Sequence, residues 1–342
     1  MAFDLPQLGF DDGFAAALEP GHTPARVSRV DRGACDVLTD DGEHRATYSG
    51  PLKRAAADDP VSLPCVGDWV GICDAEARAV LPRRTSIVRA GVTPGVAQGQ
   101  VLAANVDLVY LAEPAVPKID LGRIERLLAL AWESGAQPVV VITKADLADV
   151  DLAEVAAAAP GAEVVLVSSM TGQGLDAVQL PPGQTAVVLG RSGAGKSTLV
   201  NALAGTDAMA TQDIREADGR GRHTTVHREL LTLPGGGLII DTPGLRRVGL
   251  YDAADGLAQV FSDVEELAAR CRFVDCAHDT EPGCAVTEAV ASGELPERRL
   301  ASWRKLQREA AWMERRTDAR LRAEATRQWK VLHKAMRNQG RP

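Results

Sequence analysis

An eight-residue stretch, GRSGAGKS at 190 to 197, combines glycines with one lysine and one serine in the pattern of a phosphate-binding loop. It follows the apolar run TAVVLG and opens STLVNALAG, the strand-then-helix context such a loop requires. Gly190, Gly193 and Gly195 let backbone N–H groups turn inward around a β-phosphate, and the helix start adds partial positive charge. Lys196 reaches the β- and γ-phosphates and Ser197 is placed to coordinate Mg²⁺; Arg191, Ser192, Ala194 and Thr198 complete the loop. Asp241 ends the run LIIDTPG, where its carboxylate can hold the magnesium shell and the Gly244 amide can meet a γ-phosphate. Between the two motifs lies GRGRHTT, 219 to 225. One of Thr224 and Thr225, with Thr225 preferred, would complete the Mg²⁺ shell only while the γ-phosphate is present, which makes hydrolysis a conformational switch.

Base choice belongs to TKAD, Thr143, Lys144, Ala145 and Asp146. An ionised Asp146 accepts from two adjacent N–H donors of guanine, whereas adenine offers an acceptor at one of those positions; a buried site built for that pairing rejects the wrong base by about 10⁴-fold. GTP is therefore expected over ATP. Lys144 would lie along the base plane, and Ser168 and Ser169 of SSMTGQG would bring the Ser169 amide to the guanine carbonyl. Thr143 stands where Asn is commoner; Asn can tie this loop to the phosphate loop, so weaker nucleotide affinity is expected here. The motifs run base loops, phosphate loop, threonines, DTPG, a circular permutation of the usual GTPase order. A nucleotide pocket needs its loops adjacent in space, in any order along the chain. The permutation joins the segment beyond DTPG directly to the γ-phosphate sensor.

That segment contains Cys271, Cys276, His278 and Cys284, three thiolates and an imidazole, enough for a closed tetrahedral zinc shell. A closed shell is structural rather than catalytic; buried thiols beside an unrelated histidine are the alternative. Cys35, Cys65 and Cys73 are scattered, and the six cysteines together fit a reducing compartment with one metal site better than a disulfide framework.

The elements that must position these groups are legible as apolar runs. VDLVYLAE (106 to 113), PVVVIT (138 to 143), EVVLVSS (163 to 169), TAVVLG and LIIDTPG read as buried strands, with Ile124, Leu127, Leu128 and Ala131 on one face of an intervening helix. They predict an α/β domain with a mostly parallel sheet and a ligand site at the carboxyl ends of its strands. Upstream, ARVSRV, CDVLTD, RATYSG and GDWVGICDA predict a small all-β module, either a five-stranded barrel of oligonucleotide-binding type or another small barrel. The expected organisation is a flexible arm over 1–24, the OB-like barrel over 25–85, the permuted GTPase domain over 86–250 and a helical zinc-binding domain over 251–342. Within the last, 296 to 337 reads as a long helix with Leu321, Ala325, Trp329, Leu332 and Met336 on one stripe.

The 342 residues carry 45% apolar and 25% charged side chains, with no run of about 18 apolar residues and no secretion signal, so a soluble cytoplasmic protein of several domains is expected. The net charge of −8 conceals an asymmetry: 298 to 342 hold 14 Lys and Arg against four Asp and Glu, a local +10 that leaves −18 for the rest. Either the tail meets a polyanion, RNA first among them, or it is a solvated basic helix. No sustained heptad seam is present, which favours a monomer.

The permuted motif order, the Cys/His spacing in CRFVDCAHDTEPGCAV and the basic tail together resemble the RsgA family, circularly permuted GTPases that depend on the small ribosomal subunit. The resemblance implies an N-terminal OB-fold, a permuted GTPase domain and a C-terminal zinc domain that bind the small (30S) subunit and its rRNA. It further implies a slow GTPase, stimulated by the subunit, acting late in subunit maturation. By that resemblance Cys271, Cys276, His278 and Cys284 are zinc ligands. Leu245 comes directly after DTPG, where many GTPases carry a water-positioning Gln; the resemblance points instead to His223, which could equally contact RNA or pack. Two other functions fit the same residues: a GTP-gated RNA-binding module, and a GTPase acting on a non-ribosomal RNA.

Overall fold

The computed structural model describes residues 2–90, 99–205, 228–241 and 253–317. Residues 2–22 do not form the loose arm expected of their turn-rich composition. They fold into a 3₁₀ turn at Leu5–Leu8 and helix α1 at Asp12–Ala17. The Asp11 carboxylate caps α1 by accepting from the N–H groups of Gly13 and Phe14 at 2.9 and 3.3 Å. Leu8 and Phe14 are buried, and the rings of Phe10 and Phe14 lie 4.8 and 5.9 Å from that of Trp69. The arm is thus a lid held against Trp69, in the apolar cluster shared with the α/β core, by contacts that no periodic pattern announces.

Strands β1 (Thr23–Asp31), β2 (Ala34–Leu38), β3 (Glu43–Tyr48), β4 (Trp69–Cys73) and β5 (Glu76–Val80) pair in the order β1-β2-β3-β5-β4, and β4 returns to β1. β3 and β5 run parallel while the other barrel pairs are antiparallel. Helix α2 (Gly50–Asp58) spans the connection from β3 to β4. This closed five-stranded barrel is the OB-type topology expected, filled by Val27, Cys35, Val37, Ala46, Val70 and Ala77.

Arg26 leaves β1 inward and is almost wholly buried. Its guanidinium donates to the carbonyls of Leu8 and Asn105, each at 3.0 Å, and to the Thr185 hydroxyl at 3.1 Å. One side chain therefore joins the arm, the barrel and the α/β core. Burial pulls its pKa down to about 10, with the charges of Asp68 and Asp107 opposing the shift.

Strands β6 (Ser86–Ala90) and β7 (Gly99–Ala104) form a separate antiparallel pair. The α/β domain then runs β8 (Leu108–Pro114), α3 (Leu121–Glu133), β9 (Gln137–Thr143), α4 (Leu152–Ala157), β10 (Glu163–Val167), β11 (Thr185–Leu189), α5 (Lys196–Ala204), β12 (Glu229–Thr232) and β13 (Leu238–Asp241). Its sheet order is β10-β9-β8-β11-β13-β12, parallel except for β12. A single bridge, Arg29 to Glu229, carries the sheet on from β12 into the barrel at β1.

The chain continues with helices α6 (Ala254–Val260), α7 (Ser262–Ala268), α8 (Ala285–Ser292) and α9 (Glu297–Thr317). α3 buries Ile124, Leu127, Leu128 and Ala131 as its periodicity predicts, each large aliphatic contributing roughly 2 kcal/mol. α6 crosses α3 so closely that a Cβ on Gly256 would stand 2.1 Å from the Ala129 carbonyl oxygen, and the Gly256 N–H donates to Glu133 at 2.9 Å. Only glycine permits that approach. The Leu321 to Met336 stripe lies outside the described residues.

Candidate nucleotide site and metal centre

The ends of β9, β10, β11 and β13 carry TKAD, SSMTGQG, GRSGAGKS and Asp241 respectively, at the same edge of one parallel sheet. Gly190 ends β11 where a Cβ would meet the Ala112 carbonyl oxygen at 2.4 Å, so the phosphate loop can leave the sheet only through glycine. Gly193 and Gly195 take left-handed φ of 79° and 83°, and the Leu199 N–H donating to the Gly195 carbonyl at 2.8 Å starts α5. Lys196 is buried, its ammonium donating to the carbonyls of Gly190 and Arg191, each at 3.0 Å. Burial pulls its pKa below the ordinary lysine value, while the Asp241 charge opposes that shift. Asp241 ends β13 beside Val188 of β11 and is buried; Ser197 is half-buried, and Ser192, Gly193 and Thr198 are exposed.

Thr143 ends β9, and its hydroxyl donates to the Ala194 carbonyl at 2.7 Å. The tie to the phosphate loop that asparagine commonly makes is made here by threonine. The Thr143 carbonyl in turn accepts from the Ala115 N–H at 2.9 Å, which fixes the loop after β8 to the same edge. Lys144 takes a left-handed φ of 56°, and Ala145–Leu147 form a 3₁₀ turn with Asp146 exposed. In SSMTGQG the buried Ser168 donates its N–H to the Gln173 carbonyl at 3.0 Å and accepts at its own carbonyl from Gly172 at 2.9 Å. Ser169 is half-buried within that turn. His223, Thr224, Thr225, Gly244 and Leu245 lie outside the described residues.

One of the buried carboxylates that sequence reasoning missed lies beside this edge. Glu113, inside the apolar run of β8, accepts two bonds from Arg123 at 2.6 and 2.8 Å and one from the Asp120 N–H at 3.1 Å. Burial raises its pKa, with the Arg123 charge opposing. A glutamate within an otherwise apolar strand was the available signal.

Cys271, Cys276, His278 and Cys284 converge, their ligand atoms all within 4.8 Å of one another. Both Cys271 Sγ and Cys284 Sγ lie 3.5 Å from His278 Nδ1, and 3.8 Å from each other. A tetrahedron with metal–sulfur bonds of about 2.3 Å and metal–nitrogen bonds of about 2.0 Å has sulfur–nitrogen and sulfur–sulfur edges of roughly 3.5 and 3.8 Å, so the donor set fits a four-coordinate ion. Burial raises the Cys284 pKa, yet hydrogen bonds from Thr287 at the start of α8 outweigh it and bring the thiol down to about 6. The Glu281 carboxylate gathers the N–H groups of Asp279, Ala277 and Thr280, closing the loop that carries His278. Trp303 packs edge-on against His278 with ring centroids 5.6 Å apart, and Arg304 donates to the His278 carbonyl.

A phosphate loop, a base loop and a buried Asp at adjacent strand ends, in permuted chain order behind an OB-type barrel, define a circularly permuted P-loop GTPase fold. The family described as "RsgA GTPase" matches residues 80–251. The chain is 53% identical to a small ribosomal subunit biogenesis GTPase RsgA of Streptomyces coelicolor, over 95% of this chain and 92% of that protein. It is 44% identical to a protein of the same name from Opitutus terrae, over 97% of each. Among solved structures, YjeQ from Thermotoga maritima superposes with a TM-score of 0.58 at 25% identity, covering 83% of this chain and 97% of that one. YloQ, described as a circularly permuted GTPase, gives 0.54 at 25% identity over 85% and 95%. The chain belongs to the RsgA GTPase family.

Proposed function

We propose that this chain is a GTPase that binds the small ribosomal subunit and hydrolyses GTP to GDP and phosphate late in that subunit's maturation, with the subunit stimulating turnover. The observation that carries the reading is the shared sheet edge, where the Thr143 hydroxyl joins the base loop to the phosphate loop. Asp146, Lys144 and the Ser169 amide select guanine; residues 190–198 cradle the phosphates, with Lys196 on the β- and γ-phosphates. Ser197, Asp241 and Thr225, or Thr224 in its place, hold Mg²⁺, which when bound neutralises charge on the phosphates. His223 positions the attacking water, whose oxygen bonds to the γ-phosphorus as the bond to the β-phosphate bridging oxygen breaks.

The Cys₃His set holds one structural Zn²⁺, which keeps the C-terminal module in the shape that meets rRNA; the basic tail adds affinity for phosphates. The units act as a lid and barrel to about residue 85, a GTPase domain to about 250 and the metal-holding domain beyond. The reading implies a cytoplasmic monomer. Among the described residues no helix is long and apolar enough to cross a membrane. Co-sedimentation with purified small subunits tests it: the chain should pellet with them in a non-hydrolysable GTP analogue and stay in the supernatant with GDP. Equal pelleting in both states contradicts a GTP-controlled cycle.

A further inference from the structure

Glu125 lies in the N-terminal half of α3 with no exposed surface. Its carboxylate accepts from Arg298 at 3.0 Å, from Arg299 at 2.9 Å and from the Ser302 hydroxyl, all three on α9. Arg299 is itself buried and grips both oxygens of Asp263 on α7 at 3.0 Å, together with the Val260 carbonyl at the end of α6. One carboxylate on the GTPase domain thus anchors the segments on either side of the metal loop. One turn further along α9, Arg304 holds the His278 carbonyl.

The first turn of α3 is bound to the nucleotide loops. Arg123, two residues before Glu125, pairs with Glu113; the next strand residue, Pro114, registers against Thr143, and Thr143 holds Ala194. Two charges near the start of α3, two residues apart, therefore lead one way to the phosphate loop through Arg123 and the other way to the Cys/His loop through Glu125. A buried ion pair contributes little net stability compared with well-packed apolar residues, and its use is to fix one arrangement against others. Leucine at 125 would pack against α9 in several registers; a carboxylate between two guanidinium groups and a hydroxyl accepts one.

We propose that Glu125 is a positioning residue that couples the metal-holding module to the nucleotide loops through α3. The proposal rests on the GTPase reading above. It requires that the two sites sense each other in both directions, because a coupling free energy is reciprocal.

The test compares wild type with Glu125→Gln, which keeps size and hydrogen-bonding capacity and removes the charge. In the wild type, stripping the metal with a chelator should change the dissociation rate of a fluorescent GDP analogue by about fivefold or more. In Glu125→Gln, with metal content unchanged at one ion per chain, the same treatment should leave that rate within about twofold. With small subunits added, the variant should keep the wild-type half-saturating subunit concentration and intrinsic turnover while stimulated kcat falls about tenfold. Metal-insensitive GDP release in the wild type, or full stimulation of the variant, overturns the coupling. A wild type that small subunits fail to stimulate contradicts the GTPase reading itself, and the GDP-release arm then still decides the coupling on its own. Should Glu125→Gln misfold, Glu309→Gln, which cuts the half-buried Arg126 contacts at 2.7 and 2.5 Å, gives the same comparison from further along α9.

Discussion

The Thr143 hydroxyl donates to the Ala194 carbonyl at 2.7 Å, a buried contact between the loop that selects the base and the loop that holds phosphate, 51 residues apart in sequence. Thr143→Val keeps the shape and removes the donor, leaving the Ala194 carbonyl buried without it. Loss of such a partner costs about 1 to 3 kcal/mol, part of which falls on nucleotide affinity. GDP binding measured by fluorescence titration should weaken about fivefold to thirtyfold, and Thr143→Asn should stay close to wild type.

Asp146 is exposed at the turn after β9, where only a ligand can complete its hydrogen bonding to a base. Asp146→Asn exchanges an acceptor pair for an acceptor and a donor. Competition binding should show GTP affinity falling about 10²-fold or more while xanthosine triphosphate gains. Unchanged guanine selectivity removes TKAD from base recognition.

Arg26 spans three units of the fold through three hydrogen bonds. Arg26→Ala should destabilise the protein by about 3 kcal/mol, since buried carbonyls lose charged donors. In hydrogen exchange, α1 and the Leu5–Leu8 turn should lose protection first. Protection unchanged over residues 5–17 would show that the aromatic contacts with Trp69 alone hold the lid.

Legibility of these features in the sequence divides along physical lines. Glycine and lysine spacing in GRSGAGKS, the apolar strand before it and the helix after it are local signals, and the structure sets the loop between β11 and α5. The identity of the barrel was not local: strands of about five residues fit many closures, and the parallel β3–β5 pairing exists only in the folded register. The lid was hidden because its cap, Asp11, and its anchors, Leu8 and Phe14, sit in a stretch too short for a period. Glu113 is marked only by its place in an apolar run, and Glu125 and Arg26 carry no local mark of their burial. Their burial depends on partners 10, 174 and 159 positions away.

Metal removal should act locally before it acts globally. The Cys271, Cys276, His278 and Cys284 cluster gathers the segment between α7 and α8, which has little apolar core of its own, with Val274 fully and Phe273 partly exposed. Chelation, or Cys284→Ser, should abolish exchange protection around 271–285 and lower the melting temperature by about 5 to 10 °C. The P-loop helix α5 should keep its protection. An unchanged melting profile after verified metal loss contradicts a structural role for the centre.

The central claim is that this chain is a GTPase whose activator is the small ribosomal subunit. The most direct measurement is phosphate release from GTP by the purified protein alone, with small subunits, and with large subunits. The account predicts slow turnover alone, a rise of at least about tenfold with small subunits, and none with large ones. Equal rates under all three conditions would contradict it.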